Sequence, residues 1–302
     1  MSGDSEHESI NSLGVFAAAI AVSAWGLSGV IAKDIDMTGI AIGAYRFAAY
    51  GLVVAALMAA RGSRLSRYAL RKSFLGGMAL GIDVALFFTA VKLTTVANAT
   101  VIGSLQPIVV AVTAARMFGE RVARRDILLG AVALGGVATI VLAARDTEGW
   151  SLGGDFLAAG ALFAWSAYFI FAKKAKEDIS SSEYTVGAAL WCGIFNFAAG
   201  LAFDQGMGWP SSSSWVGVLI LAFGAGLLGH EMMNWSIQQI PLWISSTLTL
   251  LIPVVSATAA WIFLGESLLP IQVAAMGVVL LALGGIVARQ TGIGARPRPL
   301  RR

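Results

Sequence analysis

Apolar residues along this chain fall into ten runs of about twenty, and most of the charged residues fall between them. The runs lie near 13–32, 38–60, 73–91, 96–116, 126–144, 153–172, 184–203, 215–237, 242–263 and 270–288. A helix rising about 1.5 Å per residue needs about 20 apolar residues to cross roughly 30 Å of hydrocarbon. The pattern predicts an all-α integral membrane protein of ten transmembrane helices with short connections. No connection is long enough to hold a soluble domain, and residues 291–302 read as a basic, Arg/Pro-rich disordered tail. The opening residues, with Asp4, Glu6 and Glu8, lack the basic n-region of a signal peptide, so the first run is expected to be retained.

Composition agrees with the pattern. Of 302 residues, 57% are hydrophobic and 13% charged, against about 25% charged in an average soluble domain. A soluble fold with so few charges could not cover its surface, whereas a bilayer removes that requirement. Mean hydropathy is +0.78. Cys192 is the sole cysteine, which excludes an intrachain disulfide and a cysteine metal cluster.

The sequence pI near 9.4 reflects where the basic residues lie, not a nucleic-acid partner. The even-numbered connections and the tail hold seventeen of the 21 Lys and Arg: Arg61, Arg64, Arg67, Arg71, Lys72; Arg116, Arg121, Arg124, Arg125; Lys173, Lys174, Lys176; and Arg289, Arg296, Arg298, Arg301, Arg302. The odd-numbered connections hold Lys33, Lys92 and Arg145, and Arg46 lies inside the second run. The positive-inside rule then predicts cytoplasmic N- and C-termini in an inner, or plasma, membrane.

The two halves share landmarks in the same order. Trp25 precedes Lys33 by the eight residues that separate Trp165 from Lys173, and Pro107 precedes Gly119-Glu120 by the spacing of Pro253 to Gly265-Glu266. The predicted repeats are 12–145 and 150–290. Each holds five helices, an odd number, so the second enters from the opposite side of the membrane. Inverted repeats recur in transporters, with the solute site near the midplane between them.

Ten helices as five plus five, with Trp25, Pro107, Gly119-Glu120, Trp165, Asn234, Pro253 and Gly265-Glu266 in these places, resemble the drug/metabolite transporter superfamily, and within it the EamA-type exporters. The likeness runs from about residue 12 to 290. It implies alternating-access export of small metabolites, including neutral and aromatic amino acids. It also implies a central cavity lined by helices one, three, four, six, eight and nine, with five and ten peripheral.

Ionisable groups inside a bilayer are functional candidates by default. Asp83 in the third run is read as a contact for a substrate ammonium, as a proton carrier, or as a structural partner of Arg46. The eighth run is the most polar: His230, Asn234 and Gln238 form one helical stripe, and Glu231 and Trp235 an adjacent one. Such a helix lines a cavity or bonds to its neighbours. Asn98 and Gln106 in the fourth run offer amides. Trp25, Trp165, Tyr168 and Trp243 offer stacking surface for an apolar solute or for packing. Trp150, Trp209 and Trp215 suit the headgroup level. Pro107 and Pro253 each withdraw a helix hydrogen bond and read as hinges or as static kinks. Glu120 and Glu266 fall at helix ends, where they can accept from exposed amides. Gly39-x-x-x-Gly43 and Gly77-x-x-x-Gly81 permit close helix packing but specify no dimer, and a monomer is expected.

Other classes fit less well. His230-Glu231-x-x-Asn234 is one residue from a zinc-protease motif, but the second imidazole is missing and the only other histidine is His7. No Walker-type phosphate loop is present, so ATP-driven transport is not expected; an enzyme is not expected either, and no cofactor or metal is called for. A channel filter is not readable. Phosphorylated or nucleotide sugars would want several intramembrane cations, and only Arg46 is offered.

Overall fold

The computed structural model describes residues 11–60, 62, 65–94, 96–143, 151–264 and 268–291, and every regular element among them is helical. The first half holds α1 (Ser12–Asp34), α2 (Gly39–Ala60), α3 (Arg67–Leu93), α4 (Val96–Gly103), α5 (Gln106–Phe118) and α6 (Arg124–Ala143). The second holds α7 (Leu152–Ala175), α8 (Ser181–Ala202), α9 (Ser212–Ile220), a π-helical segment (Leu221–Gly229), α10 (His230–Gln239), α11 (Leu242–Thr247), a 3₁₀ turn (Leu248–Leu251), α12 (Ile252–Leu264) and α13 (Pro270–Thr291). Eight helical stretches among the described residues are long and apolar enough to cross a membrane: α1, α2, α3, α7, α8, Ser212–Gln239, Leu242–Phe263 and α13.

Helix starts follow local chemistry. Asn11, Ser66, Ser151, Ser180 and Ser211 each accept from a first-turn amide, and Ser180 with Glu183 forms a full capping box. α5 stops where Gly119 turns left-handed at φ 66°, a conformation glycine adopts without a Cβ clash. Glu120 follows and accepts from the amides of Leu242 (2.8 Å) and Trp243 (3.1 Å), while Lys173 stands 3.4 Å away. That carboxylate satisfies amides at the start of α11 that have no helical partner. Glu266 lies outside the described residues.

Three of the apolar runs are interrupted rather than continuous. The fourth breaks at Ser104-Leu105 into α4 and α5, the eighth contains the π segment, and the ninth contains the 3₁₀ turn. Pro107 and Pro253 therefore sit in the first turns of new helices, not in mid-helix kinks. A first-turn proline gives up an N–H that would be unpaired anyway.

α3 packs between α7 and α8, α2 packs on α8, and α1 runs along the π segment, α10 and α12. α6 and α13 pack mainly on each other, joined by Asp126, which accepts from Arg289 (3.0 Å) and Gln290 (2.8 Å). The glycine pairs serve contacts within the chain. A Cβ at Gly39 would stand 2.4 Å from the backbone of Phe88 and Thr89, and one at Gly77 would stand 2.8 Å from the Ala188 carbonyl. Basic residues gather at one end of the bundle. There Lys72 and Tyr68 both bond Asp178 and hold its carboxyl below the usual carboxylate range, and Lys176 bonds the Gln238 carbonyl. Trp209 and Trp215 pack edge-on against Tyr45 at the other end, and Trp150 and Arg145 lie outside the described residues.

Candidate functional site

Two helices bring one face each to a common cavity. On α3 the wall is Leu80, Asp83, Val84 and Phe87, and on α7 it is Ala158, Ala161, Leu162 and Trp165. Both sets have the i, i+3, i+4, i+7 spacing of a single helical stripe. α1 adds Trp25 and Ser28, α2 adds Arg46, and α4 with the turn after it adds Thr100, Gly103 and Ser104. His230, Thr249 and Ile252 complete it from the interrupted helices of the second half. The cavity measures about 110 Å³. Asp83 is ten residues from the end of α3, hence roughly 15 Å from it, which is mid-membrane depth for a spanning helix.

The aromatic part is tightly organised. Trp25 and Trp165 meet edge to face with centroids 5.7 Å apart, and Trp25 also packs on His230 at 5.2 Å and Phe169 at 6.2 Å. The Trp25 indole donates to the Ala225 carbonyl at 2.9 Å. That carbonyl belongs to the π segment, whose wider winding suits a side-chain bond of this kind. A Cβ at Gly229 would stand 2.6 Å from the Trp25 indole nitrogen, so a glycine there makes room for the ring.

The charged part is open. Arg46 is 3% exposed, its Nε has no hydrogen-bond partner, and it makes no ion pair with Asp83 within 4.0 Å. Its guanidinium lies 4.9 Å from the Phe47 ring centre and 5.5 Å from that of Phe88. Asp83 accepts no hydrogen bond among the described residues.

Behind His230 lies a polar layer. His230 Nδ1 is 3.3 Å from the Tyr168 hydroxyl, and Asn234 donates to Tyr168 (2.7 Å) and Thr185 (2.8 Å). Trp25, Asp83, Trp165 and His230 thus share one chamber, while Tyr168 and Asn234 support it from the next layer. Gln106 is fully buried, with the Thr249 hydroxyl 3.5 Å from its carbonyl oxygen. Trp243 stands at the start of α11 beside Glu120, away from the chamber. The Asn98 side chain lies outside the described residues. Glu231 accepts from Ser182 rather than reaching the chamber. No group of three His, Cys, Asp or Glu able to hold a metal occurs among the described residues.

Sequence reasoning passed over Ser28, Thr100, Ser104 and Thr249, and took Arg46 as a partner for Asp83 and as an intramembrane cation but not as part of the wall. The spacing signal was available. Ser28 is one turn beyond Trp25, and Ser104 is one turn beyond Thr100.

A multi-pass helical membrane protein with a solute-sized chamber walled by both halves of its chain is built to move or hold a small molecule. The chain belongs to the EamA-like transporter family, which it matches twice, over residues 12–142 and 152–288. It is 26% identical over 211 residues to a protein of Salmonella typhimurium named a probable amino-acid metabolite efflux pump, covering 66% of this chain and 70% of that one. It is 26% identical to the threonine/homoserine exporter RhtA of Escherichia coli K12, over 72% of this chain and 68% of that one. It is 25% identical to the aromatic amino acid exporter YddG of Ancylobacter novellus, over 50% of this chain and 52% of that one. A solved structure described as "Crystal structure of protein" superposes with a TM-score of 0.76 at 20% identity, covering 94% of this chain and 97% of the other, and it shares the fold. Family and relatives indicate a small-metabolite exporter rather than an enzyme.

Proposed function

We propose that this chain exports small neutral amino acids across the inner membrane by alternating access, with the chamber around Asp83 and Trp165 as the substrate site. The observation that carries the reading is the chamber itself, which sets a carboxylate without a hydrogen-bond or ion-pair partner among the described residues beside an aromatic wall. Asp83 is placed to meet an ammonium group. Trp25 and Trp165 cover a side chain, and His230, Ser28 and Ser104 offer hydrogen bonds. The room, about 110 Å³, suits a small solute of amino-acid size. A nucleotide sugar is far too large.

In this reading the ten apolar runs are ten crossings, with α4 and α5 sharing one and α6 making another. The two units are the family-matched stretches 12–142 and 152–288, related as inverted repeats. Support comes from Trp25 and Trp165, which hold matching places in the two halves and touch each other, as residues near a two-fold axis do. Both termini belong on the cytoplasmic side, where the end bearing Lys72, Lys173 and Lys176 would face. The chain works as a monomer, with the bilayer and the solute as its partners.

Counterflow in proteoliposomes tests the function. Vesicles preloaded with unlabelled threonine or leucine are expected to accumulate the labelled amino acid transiently, and nucleotide sugars are expected not to compete. Absence of counterflow for every neutral amino acid removes the reading.

A further inference from the structure

We propose that Arg46 is the anchor for the substrate's carboxylate, and that with Asp83 it makes the chamber a two-point clamp for zwitterions. The inference rests on amino-acid export as the function and goes beyond it, because it assigns recognition of a free carboxylate to one residue.

A guanidinium inside a membrane helix is expensive to bury, and such groups are normally paired. Arg46 is 3% exposed and lines the chamber, yet it makes no hydrogen bond and no ion pair among the described residues. What surrounds it is aromatic: the rings of Phe47 and Phe88 at 4.9 and 5.5 Å. Rings at that distance hold a cation in place by their electron-rich faces, but they leave its N–H donors unused.

The nearest opposite charge on the wall is Asp83, and the two do not close on each other. Two unpaired, opposite charges facing one small cavity are complementary to a solute that carries both signs. A planar guanidinium binds a carboxylate through two parallel N–H donors, which a lone ammonium cannot match. Asp83 then receives the solute's ammonium, and the Trp25–Trp165 side receives its side chain. A neutral drug-like molecule would leave both charges unpaired, and an amine without a carboxylate would leave Arg46 unpaired. The clamp therefore selects for α-amino acids as a class and is indifferent to much of the side chain.

The test compares L-threonine, L-leucine and L-phenylalanine with the amide of each, on the purified full-length chain, by ligand-dependent shifts in thermal unfolding. The amide keeps the ammonium and the shape and removes the negative charge. The parent is expected to prefer the acids by tenfold or more, and Arg46→Gln to erase that preference. Its affinity for the acids should fall about ten- to hundredfold, the range of a hydrogen bond to a charged group, with the amides within about twofold. Arg46→Lys, which keeps the charge without the fork, is expected to retain the preference at lower affinity and carries the comparison if the glutamine variant does not fold. An Arg46→Gln protein with the parent's acid-to-amide ratio overturns the clamp and leaves the export reading standing. So does a folded Arg46→Lys protein that has lost the preference. A parent that binds none of the acids overturns both.

Discussion

Asp83→Asn is expected to lower affinity for neutral amino acids by about five- to hundredfold, corresponding to about 1–3 kcal/mol for a lost charge-assisted contact. The shape of the side chain is kept, so the wall of the chamber is unchanged. The carboxylate has no hydrogen-bond or ion-pair partner among the described residues, and the solute's ammonium is what it is proposed to receive. A structural role makes the opposite demand. If Asp83 held Arg46 in a buried ion pair, removing its charge would destabilise the fold by about 3–5 kcal/mol. No such pair exists within 4.0 Å, so the thermal stability of the empty protein is expected to hold or rise. Binding isotherms and unfolding curves on the same preparation separate the two. Undiminished affinity, or a large drop in stability with affinity intact, places Asp83 among the packing elements.

The second large effect is kinetic. Pro107→Ala combined with Pro253→Ala is expected to slow turnover about tenfold while substrate affinity stays within about twofold. Each proline starts a helix just after a break, at Ser104-Leu105 and at the 3₁₀ turn Leu248–Leu251. An alanine in its place supplies an amide that can reach the carbonyl of Gly103 or Thr249 and run the two pieces into one helix. Each added bond contributes about 1 kcal/mol, and two stiffen the places where the halves are proposed to bend, which corresponds to about a tenfold rate change or more. The breaks also face each other, through Thr249 and Gln106. Single-turnover efflux from loaded vesicles reads the rate, and unchanged turnover in the double variant makes the breaks static.

Hydropathy revealed where the helices are but not where they are interrupted, because it counts apolar atoms and not hydrogen bonds. The π segment Leu221–Gly229 is the clearest case. Its sequence is apolar and glycine-rich throughout, and nothing in it distinguishes i+5 from i+4 bonding. The proline at 107 was legible as a disturbance, but whether it kinks a helix or opens a new one depends on the turn before it. Glu120 could be placed at a helix end from its position, and its acceptance of two amides from α11 follows a contact across 122 residues that only the fold supplies.

The candidate site was legible in part for a related reason. A residue's depth in a helix can be read from sequence, and its rotation about the helix axis cannot. Trp25, Asp83, Trp165 and His230 proved to face one chamber. Tyr168 is three residues from Trp165 and Asn234 is four from His230, yet both sit one layer back, where they hold His230 and Thr185. Arg46 was legible as an intramembrane cation but not as part of the chamber, because the second helix was not expected on the wall.

The most direct test of the chamber as the transport site uses the chain's single cysteine to advantage. Cys192 is buried, so Ser28→Cys places one reactive thiol on the wall, beside Trp25, whose carbonyl the Ser28 hydroxyl now contacts at 2.6 Å. Alkylation of that thiol in membranes, by a small neutral maleimide, is followed with and without a transported amino acid. Occupied chambers shield the thiol, so at about ten times Kd the rate is expected to fall about tenfold by mass action. An unchanged rate, in a Ser28→Cys protein that still transports the same amino acid, contradicts the account and puts the substrate elsewhere.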